Sequence, residues 1–174
     1  MIMPRGQQLL LPANPLFVWG SLVATLLLTM LPLGPLPWLP DWLAITLVFW
    51  SVHQPRRVGI VAAFIFGLLV DVHQAALLGQ HAFAYSVLTY CAIAMHRRLL
   101  WFPPHQQAVQ ILPLFVATHV IVLLVRLLTG EQEPVLSWSA VLAPLLEALL
   151  WPVFSALLLA PQRRAPDPDA NRPL

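Results

Sequence analysis

The sequence predicts an all-α polytopic membrane protein with about six transmembrane helices. Of its 174 residues, 59% are hydrophobic and only 9% are charged, and the mean hydropathy is +0.78. A soluble domain carries about 25% charged residues, so a large apolar core would not account for this deficit. Two runs, 16–33 and 107–125, contain no Asp, Glu, Lys or Arg. Each is about long enough to cross a bilayer.

Apolar runs and the residues that interrupt them define the individual elements. The second helix begins only after "PLGPLPWLP", because its prolines exclude a regular helix. Between the third and fourth helices, "HQAALLGQ" is too apolar for a solvated loop. It is predicted to be a tight helical hairpin or a re-entrant turn, with Gly79 at the corner. The six predicted helices are 16–33, 39–53, 58–78, 80–96, 107–129 and 135–159.

One transmembrane domain, residues 1–160, is predicted to precede a cytoplasmic tail, residues 161–174. The tail, "PQRRAPDPDANRPL", is polar and rich in proline, a composition typical of disorder.

Arginine positions predict the orientation of the helices. All nine basic residues are Arg, and six spans place eight of them on one side, which is therefore cytoplasmic. Both termini are predicted to lie on that side, and a five-span topology would separate two of the Arg pairs. The formal charge of +2 is too small to indicate a nucleic-acid partner. The main topology determinants are Arg56, Arg57, Arg97, Arg98, Arg163 and Arg164.

Ionisable residues inside the apolar spans are the candidate functional residues. Asp71, Arg126 and Glu147 would each cost a few kcal/mol if they faced lipid at the bilayer centre. At ~1.5 Å per residue from the cytoplasmic anchors, Asp71 lies at ~21 Å and Glu147 at ~24 Å. On the same scale His81 lies at ~24 Å and Arg126 at ~28 Å. These four residues are therefore predicted to form one intramembrane polar cluster.

Three interpretations of this cluster stay open. It could be a structural network in which Arg126 neutralises one or both carboxylates. It could be a polar pocket, open to the periplasmic face, that a partner or ligand contacts. It could also be a proton or ion pathway.

Recognisable catalytic and metal-binding patterns are missing from the sequence. The six histidines show no HxxxH or HExxH spacing, and no GxSxG, P-loop, GxGxxG or CxxC motif occurs. We therefore predict no enzyme activity, no cofactor and no metal site. Ala63 and Gly67, with Ala82 and Ser86, form small-xxx-small pairs that permit close helix contact.

The order of motifs from residue 58 to residue 98 resembles the bacterial rod shape-determining protein MreD family. These motifs are "GLLVD", then the LG pair of "LLGQHAF", then a helix that ends at the basic pair of "AMHRRLLWFP". The "FW" before a "PRR" turn and the small size of the chain fit as well. Gly67, Asp71 and Gly79 are the positions that match the family motif.

The resemblance implies a non-enzymatic subunit of the elongation machinery in the bacterial cytoplasmic membrane. It implies direct binding to the bitopic protein MreC and action with MreB, RodZ, RodA and a class B penicillin-binding transpeptidase. These proteins support lateral peptidoglycan synthesis and rod shape. The family's fold is similar to the membrane substrate-binding subunits of energy-coupling-factor transporters.

Two other functions are considered. A transporter subunit that binds a small molecule would use the polar cluster as its site, although a fold does not fix a function. A membrane enzyme acting on lipid-linked substrates would need a nucleophile or a metal constellation, and the sequence offers neither. Membrane lipid is an expected partner under every interpretation.

Overall fold

The computed structural model describes residues 13–31, 39–130 and 138–162. Within these ranges the chain is all-helical, with six α-helices and no strand, which confirms the predicted fold class. One turn of 3-10 helix, Ala160–Gln162, follows the last α-helix. The predicted disordered tail lies outside the described residues, apart from its first two. The helices are α1 (Pro15–Thr29), α2 (Trp42–His53), α3 (Ile60–His73), α4 (Gln80–Leu99), α5 (Pro104–Thr129) and α6 (Trp138–Leu159).

The central element is α2, which is buried on every side from Leu43 to Val52. Helices α1, α4 and α6 pack around it. From α1, Val18, Leu22 and Leu26 form a buried stripe at the spacing of one helix face. The indole of Trp50 donates a hydrogen bond of 2.8 Å to Ser21 Oγ, which fixes α1 against α2.

Helix α3 packs mainly on α4, and the two approach unusually closely. A Cβ atom on Gly67 would lie only 2.3 Å from Ala82 Cα, so this crossing requires glycine. The predicted small-residue contact is therefore confirmed at Gly67 and Ala82. Within α4, the hydroxyl of Ser86 donates a hydrogen bond of 2.7 Å to the carbonyl of Ala82.

The predicted end of the third helix, residue 78, is wrong, because α3 ends at His73. The amide of Ala76 instead donates to the carbonyl of Asp71 at 3.0 Å. Ala75 has a φ of 50°, and Gly79 has a φ of 102° just before α4. Gly79 therefore lies at the corner, as predicted. Six residues, 74–79, reverse the chain direction.

Helix α5 is long and apolar enough to cross a membrane. So is the segment Val141–Gln162, which consists of most of α6 and the 3-10 turn after it. Helices α1, α2 and α3 are apolar but have only 15, 12 and 14 residues. At ~1.5 Å per residue, α2 is ~18 Å long, less than the ~30 Å of a bilayer core. Consecutive helices alternate in direction, so α2 begins, α3 ends and α4 begins at the same end of the bundle. We call this the acidic end, because the carboxylates described below lie there.

Candidate functional site

Asp71, in the last turn of α3, is fully buried and caps the next helix. Its carboxylate accepts hydrogen bonds from the amides of Gly79 at 2.9 Å, His81 at 2.8 Å and Ala82 at 3.3 Å. The N-cap residue of α4 is Gly79, which has no side chain for this task. A carboxylate at a helix N-terminus satisfies free amides and interacts favourably with the helix dipole. Asp71 therefore acts as the cap of α4 from a different helix.

The same carboxylate also binds the imidazole of His81. Asp71 Oδ1 lies 2.8 Å from His81 Nδ1, and His81 is 8% exposed. Because an ionised carboxylate only accepts, this contact requires the proton on Nδ1. The pair is a hydrogen bond when His81 is neutral and a salt bridge when it is protonated.

Asp41, at the start of α2, connects that helix to α4. Its Oδ1 atom accepts from the amides of Leu43 at 3.1 Å and Ala44 at 3.0 Å, a standard N-cap arrangement. Its Oδ2 atom accepts a hydrogen bond from the hydroxyl of Tyr85, which is 1% exposed. The ring of Tyr85 lies 6.0 Å from that of His81, edge to face. Asp41 therefore extends the polar contacts from the Asp71 pair to the central helix.

Glu147, in α6, completes these contacts. It is 1% exposed, and its Oε1 atom accepts a hydrogen bond of 3.0 Å from the backbone amide of Asp41. The same oxygen lies 2.8 Å from Nε2 of His119 in α5. One buried carboxylate thus joins α6 to both α2 and α5.

We call these six side chains the polar network. They connect five helices, α2 to α6, at the acidic end. Each carboxylate accepts from at least one backbone amide and from one side chain of a neighbouring helix. This arrangement favours the structural interpretation of the predicted cluster, because the acceptors are occupied by the protein itself. The members are Asp41, Asp71, His81, Tyr85, His119 and Glu147.

Arg126 is not among the partners that the structure gives to Asp71 or Glu147. Their ion pairs within the described ranges are with His81 and His119. Arg126 lies seven residues beyond His119 in α5, ~10 Å further along the helix axis. Within the described residues, Asp71 and Glu147 therefore pair with histidines, and the predicted pairing with Arg126 stays a prediction.

Three members of the polar network were not identified from the sequence. Asp41 carried a usable signal, since an Asp directly before an apolar helical run is a typical N-cap. Tyr85 lies four residues after His81 and so shares its helix face. His119 had no such signal, because only the packing of α5 on α6 brings it to Glu147.

The arginines of the opposite end have a different environment. Arg56, Arg97 and Arg98 are exposed. Arg57 donates a hydrogen bond of 2.7 Å to the carbonyl of Ala13, which ties the α2–α3 turn to the start of α1. Arg163 and Arg164 lie outside the described residues. We call this end the arginine end.

The outer surface of the bundle defines the class of protein. Large apolar side chains are exposed on several helices, among them Leu16 at 81%, Val61 at 73% and Leu149 at 72%. Among the described residues, by contrast, the carboxylates of Asp71 and Glu147 lie inside. Apolar side chains outside and paired charges inside are typical of an integral membrane protein.

Comparison with known proteins identifies the family. The family model of the rod shape-determining protein MreD matches residues 12–160. The chain therefore belongs to the MreD family, a family of membrane proteins, which confirms the resemblance drawn from the motifs.

A named relative agrees with this assignment. The chain is 28% identical over 117 residues to the rod shape-determining protein MreD of Haemophilus influenzae (strain ATCC 51907 / DSM 11121 / KW20 / Rd). The match covers 65% of this chain and 68% of the relative. No solved structure matches the chain, so the similarity to energy-coupling-factor transporter subunits stays a prediction.

Proposed function

We propose that this protein is a non-enzymatic subunit of the bacterial cell-elongation complex that binds MreC and supports lateral peptidoglycan synthesis. The observation that carries the proposal is the family match over residues 12–160, a range that contains all six helices. The family is a shape-determining one, so a role in rod shape follows at the coarser level. Binding of MreC and the link to wall synthesis are the finer parts of the proposal.

The polar network supports a scaffold rather than an enzyme. Catalytic carboxylates need access to a substrate, whereas Asp71 and Glu147 are at most 1% exposed. Their oxygens accept hydrogen bonds from neighbouring helices and so hold the helices together. A rigid bundle of this kind suits a protein whose task is to present a fixed surface to other membrane proteins.

The wider partners and the orientation form part of the same proposal. MreB, RodZ, RodA and a class B penicillin-binding transpeptidase would act in the same complex. Both termini would be cytoplasmic, with the arginine end inside and the acidic end toward the periplasm. Single cysteines placed beside Arg57 and Arg98 should be protected from a membrane-impermeant reagent added outside the cell. Strong labelling from outside would reverse the orientation.

The transporter alternative has less support. A small-molecule site would need polar groups that face an accessible space, whereas the described carboxylates face helix N-termini and neighbouring side chains.

Depletion in a rod-shaped host tests the proposed function. Cells that lose the protein should round and swell while division continues, and tagged MreC should co-purify with the wild-type protein in detergent. Normal rods after complete loss, in a host without a second copy, would contradict the proposal. Capture of MreC is measured separately from cell shape. A shape defect without MreC binding would support the role in rod shape and contradict the proposed binding of MreC.

A further inference from the structure

The arginine end contains an open cavity of about 440 Å³ at the corner between α4 and α5. Two arginine and two aromatic side chains line it. The lining residues are Arg97, Arg98, Trp101 and Phe102.

Hydrogen bonds to side chains of α5 and α6 hold the corner in place. The carbonyl of Phe102 accepts a hydrogen bond of 2.8 Å from Nε2 of Gln107 in α5. Oε1 of the same Gln107 accepts one of 3.0 Å from the indole of Trp151 in α6. Leu99, fully buried, anchors the last turn of α4 below the cavity. The lining side chains therefore project from a fixed backbone rather than from a loose loop.

The cavity is positively charged, and no carboxylate in the described part of the chain lies at this end. The described acids, Asp41, Asp71 and Glu147, all lie in the polar network at the acidic end. Arg97 and Arg98 are exposed, and no ion pair to either is found among the described residues. An anion could therefore bind here without displacing a protein carboxylate from that part of the chain.

Exposed apolar groups beside the arginines indicate where such an anion would come from. Leu100 is 47% exposed and Trp101 is 87% exposed, two and three residues after Arg98. Trp is favoured where hydrocarbon meets headgroups, because its ring is largely apolar and carries one polar N–H. A site for a freely dissolved phosphate would gain nothing from exposing these side chains.

We propose that this corner is a binding site for the phosphate headgroup of an anionic phospholipid. Arg97 and Arg98 bind the phosphate, since guanidinium groups match its oxygens in a bidentate geometry. Trp101 and Phe102 pack against the glycerol and the first methylenes of the chains. The proposal concerns a site distinct from the polar network and does not depend on MreC binding.

Native mass spectrometry of the full-length protein in detergent, titrated with phosphatidylglycerol or phosphatidylcholine, tests the site. Wild type should retain phosphatidylglycerol more tightly than phosphatidylcholine. Arg97→Gln and Arg98→Gln should each weaken phosphatidylglycerol binding about five-fold, the factor expected for one basic side chain at an anionic surface. The matched control is Arg56→Gln, which removes one exposed arginine from the same end without touching the cavity. It should leave the affinity unchanged.

Several outcomes would overturn the proposal. Equal retention of the two lipids would do so, as would an Arg56→Gln loss equal to that of the cavity variants. Displacement of phosphatidylglycerol by inorganic phosphate would assign the site to a soluble anion. Thermal unfolding of each variant confirms that folding is intact. Arg97→Lys/Arg98→Lys keeps both charges but loses the bidentate geometry, so it should weaken phosphatidylglycerol binding less than the changes to glutamine.

Discussion

At the acidic end the carboxylates of Asp71 and Glu147 are enclosed, whereas at the arginine end the side chains of Arg56 and Arg97 face outward. The oxygens of the enclosed carboxylates accept hydrogen bonds from backbone amides and from side chains of adjacent helices. The outward groups have no carboxylate close to them within the described residues. The difference shows that enclosed charge in this bundle holds helices together, while exposed charge is free to meet the membrane surface or a ligand.

The largest effect should come from closing the space at the α3–α4 crossing, which positions Asp71. Gly67→Ala would place a Cβ atom 2.3 Å from the Cα of Ala82, and a backbone atom cannot move aside cheaply. We expect a loss of about 3 kcal/mol or more in the free energy of unfolding. The amount of monodisperse protein in detergent, measured by fluorescence-detected size-exclusion chromatography, should fall sharply.

Gly20→Ala is the matched control for this change. A Cβ atom on Gly20 would meet nothing within 4 Å, and the residue lies inside α1. Because alanine favours the helix more than glycine, stability should be unchanged or rise by up to about 1 kcal/mol. Equal losses from the two substitutions would show that α3 and α4 do not pack as described.

A somewhat smaller effect is expected at the cap itself. Asp71→Ala removes the acceptor of three amides and of the His81 imidazole, so we expect a loss of about 3 kcal/mol in the free energy of unfolding. Asp71→Asn, which keeps one acceptor oxygen, should lose less. Thermal unfolding in detergent measures both changes.

A double-mutant cycle identifies the partner of Asp71. Asp71→Asn combined with His81→Phe should be less destabilising than the sum of the single changes, because the two groups share one hydrogen bond. Asp71→Asn combined with Arg126→Gln should be additive. Coupling to Arg126 and none to His81 would restore the pairing that the sequence suggested.

The smallest effect should come from Tyr85, which contributes one hydroxyl to the network. Tyr85→Phe leaves a buried acceptor on Asp41 with one partner fewer, and we expect a loss of about 1–2 kcal/mol. Tyr90→Phe is the control, since Tyr90 lies on the same helix and is 62% exposed. Its effect should stay within about 0.5 kcal/mol. Similar melting temperatures for the two variants would show that the hydroxyl of Tyr85 does not stabilise the polar network.

The sequence predicted the helices better than their contacts. Six apolar runs were sufficient to predict six helices, because hydropathy reports burial in lipid or protein directly. The end of α3 at His73 was missed, since apolar residues continue to position 78, whereas the start of α4 at Gln80 was predicted.

The candidate site was predicted only in part, because a sequence gives the height of a residue along its helix but not its neighbours on other helices. Similar heights along the membrane normal predict one cluster of Asp71, His81, Glu147 and Arg126. The first three of these side chains are buried. Equal height along a membrane normal does not give proximity in the plane, which depends on the order in which helices pack. Because α5 packs on α6 with His119 facing Glu147, the histidine takes the place expected for the arginine.

The cap formed by Asp71 also has a consequence for how the chain enters the membrane during synthesis. Helix α3 has 14 residues, ~21 Å, too few to cross the bilayer alone, and an ionised aspartate on an isolated helix is costly to place in hydrocarbon. The amides that offset this cost belong to residues 79, 81 and 82, which leave the ribosome after α3. We therefore expect stable insertion of α3 to require the first turn of α4, so that the two helices would enter the bilayer as one hairpin.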